Sequence, residues 1–229
     1  MGAEMCIRDR VKKTYGGAVL NENTNIEMPL RNREKTNRTE KKTIAKLVAA
    51  LVEDGEKIIL DSSSTSLMVA QELKDRKNLT VITNSLEVLI EFSKSKGVQV
   101  ISTGGMLQGS SLSLVGRNAE KTLENFYVDK AIISCKGLDI KKGVTDSEEA
   151  DAEVKRSMVP CSKKLILAAD STKFGEVSFA KVLDLKKVDI LVTDSLPDDT
   201  WKQCLAELGI IVVTEESGIS FEDKNYQPK

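Results

Sequence analysis

Lys57-Ile58-Ile59-Leu60-Asp61-Ser62-Ser63-Ser64-Thr65 decides the fold of this chain. A short apolar run closes on an acidic, hydroxyl-rich turn, and Leu67, Val69, Ala70 and Leu73 then continue at helical spacing. Strand, polar turn and helix follow one another with no long loop between them, which is the βα unit of a parallel sheet. The unit recurs outward from this stretch. Upstream, Ile44, Leu47, Val48 and Leu51 mark a helix that Asp54-Gly55 stops. Downstream, residues 79–82 form a strand closing on Thr83-Asn84 before a helix bearing Leu86, Leu89, Ile90 and Phe92. A strand at 98–102 ends at Thr103-Gly104-Gly105, and a Gly- and Ser-rich stretch leads to a helix at 118–125. Strands at 130–134, 164–169, 188–193 and 210–213 then alternate with helices at 151–158 and 200–208. The alternation predicts an α/β domain with a mostly parallel, doubly wound sheet and helices on both faces.

In such sheets ligands bind beyond the carboxyl ends of the strands, near the point where strand order reverses. The polar and glycine-rich turns fall at those ends. At Asp61, Ser62, Ser63, Ser64 and Thr65, hydroxyls and unpaired helix N–H groups suit a phosphate, and the helix dipole favours the anion. The same residues also serve as ordinary helix caps. The pattern is not a Walker A loop, which needs Gly-x-x-x-x-Gly-Lys-Ser/Thr. Thr83 and Asn84 end the next strand. Gly104 and Gly105 would let a ligand approach the main chain, or simply form a tight turn. Lys136, ahead of Gly137, could neutralise a phosphate or remain a surface lysine.

Residues 146–155 read Asp-Ser-Glu-Glu-Ala-Asp-Ala-Glu-Val-Lys. Carboxylates at a helix start are stabilising in themselves. A binding role would have Asp146 or Glu153 accept hydrogen bonds from sugar hydroxyls, with Lys155 and Lys173 as point-charge partners for phosphate.

Composition narrows the chemistry. With 34 Lys plus Arg against 35 Asp plus Glu, the formal charge is -1, so there is no basic block of the kind that grips nucleic acid. There is no histidine, which removes Ser-His-Asp and Cys-His catalysis and His-ligated metals. Cys6, Cys135, Cys161 and Cys204 have no paired spacing, so neither a zinc site nor a disulfide framework is expected. No cofactor or metal is expected, nor a membrane-spanning segment, and the location expected is the cytoplasm. Residues 1–40 are polar and weakly periodic, with a charged stretch from Arg31 to Lys42, and read as a leader or linker ahead of one domain at 41–229. Residues 1–10 fit no recognisable element.

The ordered motifs Thr14-Tyr15-Gly16-Gly17-Ala18, Asp61-Ser-Ser-Ser-Thr65, Thr83-Asn84, Thr103-Gly104-Gly105, Gly137, Gly143-Val144-Thr145, Ala152-Glu153-Val154-Lys155 and Asp170-Ser-Thr-Lys-Phe-Gly175 resemble the effector-sensing domain of the DeoR family of repressors of carbohydrate metabolism. The resemblance implies a fold like that of ribose-5-phosphate isomerase and glucosamine-6-phosphate deaminase, with the first strand-end loop on the phosphate of a phosphorylated sugar. It implies a homo-oligomer, and operator DNA contacted through an N-terminal winged helix-turn-helix. Only about a dozen residues precede the Tyr-Gly-Gly-Ala segment, too few for that module, so its absence from this chain is the expectation. Glu153 and Lys155 fall where the isomerase has a Glu-Lys pair, but Ser134-Cys135-Lys136-Gly137 replaces its acidic strand end. Effector binding without turnover is therefore expected, and a residual isomerase activity is the alternative.

Overall fold

Ile58, Ile59 and Leu60 are all fully buried. A strand without polar alternation needs cover on both faces, and so belongs in the middle of a parallel sheet. The computed structural model, which describes residues 11–14, 17–20 and 28–216, puts it there. Tyr15, Gly16, Cys6 and residues 1–10 and 217–229 lie outside the described residues.

Seven parallel strands form the main sheet: β3 (Lys57–Leu60), β4 (Leu79–Thr83), β5 (Val98–Ser102), β8 (Val128–Ile133), β11 (Ser162–Ala168), β13 (Ile190–Val192) and β14 (Ile211–Val213). Their order is β14-β13-β11-β8-β3-β4-β5. From β3 the chain steps outward to β4 and β5, then returns to β8 on the other side of β3 and continues to the far edge. Strand order therefore reverses between β3 and β8, whose register pairs Ile58 with Lys130 and Leu60 with Ile132. A crevice opens beyond the carboxyl ends at such a reversal.

Side chains alternate between the faces of the sheet. Ile58 and Leu60 pack with Ile44, Val48, Leu73, Val88 and Phe92. These come from α2 (Arg38–Ala50), α3 (Ser64–Leu73) and α4 (Leu86–Phe92). Ile59 points the other way, into a core with Ala119, Leu123, Val154, Met158 and Leu205. Those belong to α5 (Arg117–Leu123), α6 (Glu149–Met158) and α7 (Asp199–Glu207). The predicted class holds, with helices on both faces and most elements within two residues of their expected bounds.

Three features depart from the sequence reading. Within the segment read as leader, α1 (Leu30–Lys35) forms, and α2 begins at Arg38. Leu30, 1% exposed, is the one buried side chain of α1, which is too little periodicity to be seen. The Gly- and Ser-rich stretch folds as a hairpin of β6 (Met106–Gln108) and β7 (Ser113–Val115). A second, antiparallel sheet, β12-β10-β9, joins β9 (Gly137–Asp139), β10 (Gly143–Asp146) and β12 (Ala180–Leu183). Strands of three or four residues offer too few positions for a period of two to emerge. A separate hairpin pairs β1 (Val11–Thr14) with β2 (Gly17–Leu20).

Candidate functional site

Asp61 leaves β3 at the reversal point and is completely buried. Its Oδ1 accepts from the Ser63 amide at 3.0 Å and from Ser66 Oγ at 2.6 Å. Its Oδ2 accepts from the Ser134 amide, just beyond β8, at 2.8 Å. One carboxylate thus ties the ends of both reversal strands together and fixes the turn between them. The turn runs into α3, where Ser63 is the N-cap and accepts from the Ser66 amide at 3.0 Å. The capping and phosphate readings of this turn are compatible, since the cap takes one of the first-turn N–H groups and leaves Ser63, Ser64 and Thr65 lining a pocket.

That pocket encloses about 590 Å³ of empty space, its mouth included. Behind it lies Lys155, 6% exposed, on α6. Its Nζ reaches Asp146 Oδ2 at 2.5 Å, Asp61 Oδ2 at 3.1 Å and the Ser134 carbonyl at 2.8 Å. Burial alone would lower the Lys155 pKa, but Asp146 and Asp61 outweigh it and hold the ammonium above its ordinary range. Asp61 is correspondingly held low, its burial overcome by Lys155 and by the hydrogen bonds from Ser134, Ser63 and Ser66.

Much of the remaining lining is cationic. Arg33 and Thr36 come from α1 and its joint to α2, Lys41 from α2, Lys136 from the end of β8 and Lys173 from the 3₁₀ turn Ser171–Lys173 that follows β11. Lys41 is 5% exposed. Burial first, then Lys173, Arg33 and Lys136, with Asp170 opposing them, bring its pKa down to about 8. Cys135 also lines the pocket, but burial pushes its thiol up to about 12, so it is no thiolate nucleophile at neutral pH.

Of the residues singled out from sequence, Ser63, Ser64, Thr65, Lys136, Asp146, Lys155 and Lys173 line this pocket together. Asp61 and Ser62 stand behind it; Ser62 Oγ donates to Asp151 Oδ1 at 3.4 Å. Four others serve the architecture instead. Thr83 Oγ1 accepts from the Ser85 amide at 3.0 Å and so shapes the turn into α4, and Asn84 Nδ2 donates to the Leu114 carbonyl at 3.2 Å, which holds the β6–β7 hairpin against the end of β4. Gly104 and Gly105 are exposed beyond edge strand β5, where φ of 65° and 115° explains the glycines without a ligand. Gly137 is demanded by packing: a Cβ there would stand 2.5 Å from the Glu176 carbonyl oxygen.

Glu153 requires correction. It stands two residues before Lys155 on one helix, so the two point about 200° apart. Its side chain is half exposed and pairs with Arg156 at 2.7 Å, away from the pocket. The α6 carboxylate on the Lys155 side is Asp151, which is 5% exposed.

The sequence reading missed Arg33, Thr36 and Lys41. A signal for Lys41 was present: with Ile44, Ala45 and Val48 it completes an i, i+3, i+4, i+7 stripe, and a lysine on an apolar stripe is buried for a reason.

Among the described residues no helix is long and apolar enough to cross a membrane, and no group of three or more Asp, Glu or Cys could hold a metal ion. Among solved structures, ribose 5-phosphate isomerase A from Methanocaldococcus jannaschii aligns with a TM-score of 0.46 and 16% identity, over 61% of this chain and 55% of that one. Sequence comparison reaches further. The chain is 43% identical over 186 residues to the uncharacterized HTH-type transcriptional regulator YulB of Bacillus subtilis, covering 81% of this chain and 72% of that protein. It is 34% identical to the HTH-type transcriptional repressor GlcR of the same organism, over 91% and 81% of the two chains. It is 32% identical to the L-fucose operon activator of Haemophilus influenzae, over 84% and 77%. The DeoR C terminal sensor domain matches residues 36–195, a span that includes β3, β8, α6 and all of the pocket wall except Met28 and Arg33. The chain therefore belongs to the DeoR family of transcriptional regulators, and the domain that carries its pocket is the family's sensor domain.

Proposed function

We propose that this pocket binds the phosphate of a phosphorylated sugar, which acts as the effector of the regulator and is not turned over. The observation that carries the reading is the gathering of Lys41, Lys173, Arg33 and Lys136 in one pocket with the turn Ser63–Thr65 at the start of α3. Beyond burial, the lowering of the Lys41 pKa reflects the like charges of Lys173, Arg33 and Lys136 around it, partly offset by Asp170. A phosphate monoester carries about -1.5 to -2 charge at pH 7 and offers three acceptor oxygens, which suits these cations and the turn at once. Similarity to the regulator of an L-fucose operon supports a carbohydrate ligand.

The acid–base groups support binding without turnover. A general base works best with a pKa near the operating pH. Asp61 is held low, so this carboxylate is not poised to take a proton, and Asp146 is paired with Lys155. Lys41, brought down to about 8, supports slow isomerase chemistry as a second reading. Within the whole regulator we place the domain in the cytoplasm, as a homo-oligomer coupled to an operator-binding helix-turn-helix.

The test is calorimetry of the purified chain against sugar phosphates and their unphosphorylated parents, with product analysis of every mixture. One phosphosugar should bind, its parent should not, and the ligand should be recovered unchanged. Replacing Ser63 and Thr65 together by Ala should lower that affinity by about 1–3 kcal/mol. Conversion of the ligand would establish the second reading, and silence across the panel would sink the phosphate site.

A further inference from the structure

Lys41 makes two hydrogen bonds that serve the chain itself. Its Nζ donates to the carbonyls of Arg33 at 2.6 Å and Thr36 at 2.8 Å, at the end of α1. The last carbonyls of a helix have no partner within it, and here a lysine from the next helix supplies one. The same side chain lines the pocket together with Ser63, Ser64 and Thr65.

The joint between α1 and α2 has a second support. Asn37, in the left-handed region at φ 49°, donates through Nδ2 to Asp170 Oδ1 at 3.1 Å and to Thr172 Oγ1 at 3.0 Å. Asp170 in turn lies 3.4 Å from Lys173 Nζ, another pocket group. The first support is thus a pocket side chain itself, and the second reaches one, Lys173, through Asp170. Helix α1 has little hold of its own. It is six residues long, buries one side chain, and its Leu30 amide donates to the Ser110 carbonyl at 3.0 Å. An isolated helix of that length does not persist in water.

A phosphate oxygen carries negative charge and a carbonyl oxygen does not, so at equal distance it attracts an ammonium more strongly. An anion entering this pocket competes with Arg33 and Thr36 for one cation. We infer, building on the reading of this pocket as a phosphate site, that Lys41 reports occupancy: bound phosphate draws its ammonium off the Arg33 and Thr36 carbonyls, loosening α1 and its joint to α2. The signal then leaves the pocket on the side of the chain that precedes α2.

Hydrogen exchange read by mass spectrometry on the full chain tests this, with inorganic phosphate and the tightest sugar phosphate of the calorimetric panel as probes at saturation. Amides of residues 32–41 should exchange roughly tenfold faster with ligand, the factor for losing about one charge-assisted hydrogen bond, while β3 and β8 stay protected. Lys41→Met should show the fast pattern without ligand and no further change on adding it. Asn37→Ala removes only the second support, so it should start part-way and still respond; it carries the test if Lys41→Met fails to fold. Ligand binding with residues 32–41 unchanged or slowed would overturn the coupling and leave the phosphate site standing. If neither probe binds, both fall.

Discussion

Lys155 and Lys41 are the same residue type, equally buried at 6% and 5% and lining one pocket, and their surroundings drive them in opposite directions. Lys155 faces Asp146 and Asp61 and is held above its ordinary pKa. Lys41 faces two carbonyls and three other cations, and its pKa falls to about 8. The first lysine is already neutralised by groups from β3 and β10, so it fastens the reversal point together and has little left for a ligand. The second is pushed down by burial and by Lys173, Arg33 and Lys136, which Asp170 offsets only in part. Charge in a pocket is thus not equivalent to charge available for binding; the partners already present decide which lysine holds the fold and which can answer a ligand.

The largest effect should come from breaking the compensated side. Lys155→Met leaves Asp61 and Asp146 buried without their cation, and losing one partner of a buried pair costs about 3–5 kcal/mol. Urea unfolding should show a loss of that order, with the slope retained. A loss below about 1 kcal/mol would mean that the two carboxylates find other partners and that the contrast with Lys41 is unsound.

Lys41→Met should behave in the reverse manner. The substitution removes a desolvated charge as well as two hydrogen bonds, so stability should change by no more than about 1 kcal/mol. Affinity for the phosphosugar should fall by about 1.5–3 kcal/mol, the range for a hydrogen bond to a charged group. Calorimetry on the variant, beside urea unfolding of the same sample, separates the two. Unchanged affinity would remove Lys41 from the binding wall.

The two lysines should also part along the pH axis. Lys41 has a folded pKa of about 8 against an ordinary 10.5, so between those values the unfolded chain binds more protons than the native one. Its destabilising effect is full below pH 8 and fades as pH rises to 10.5. Wild type should therefore gain stability relative to Lys41→Met across that window. Lys155 has the opposite sign: its contribution is full below 10.5 and lost only above it. For binding, phosphate needs the Lys41 ammonium, so affinity should decline above pH 8 by up to roughly tenfold per pH unit. A flat profile from pH 7 to 9 would show that Lys41 takes no proton when ligand binds.

Legibility in the sequence tracked the same physics. The run Lys57–Leu60 and its hydroxyl turn revealed the sheet, because a strand buried on both faces carries a continuous apolar signal. Seven of the named residues meet in the pocket because they lie at or near the reversal point or on elements packed against it. Thr83, Asn84, Gly104 and Gly105 carry the same turn chemistry but end β4 and β5, one and two strands farther out. A linear reading knows that a strand ends in polar residues; it does not know the distance from the reversal point until strand order is known. The cationic wall escaped notice for a different reason. Its residues come from separate segments, α1, α2 and the turns after β8 and β11, and their common feature is a cavity no periodicity encodes.

Glu153 supplies the smallest expected effect and the sharpest check on α6. In sequence it looked like the partner of Lys155, yet the helix turns it away from the pocket, where Arg156 lowers its pKa through a hydrogen bond. Arg156 also holds Glu149 and donates to the Lys181 carbonyl, so it keeps partners when Glu153 is removed. Exposed pairs of this kind are worth about 0–1 kcal/mol and weaken with salt. Glu153→Gln should shift stability by less than about 0.5 kcal/mol and leave phosphosugar affinity unchanged. A severalfold loss of affinity would require α6 to present its other face to the ligand. The same rotation would pull Lys155 from Asp61 and Asp146, so that one result would undo the compensated half of the pocket as well.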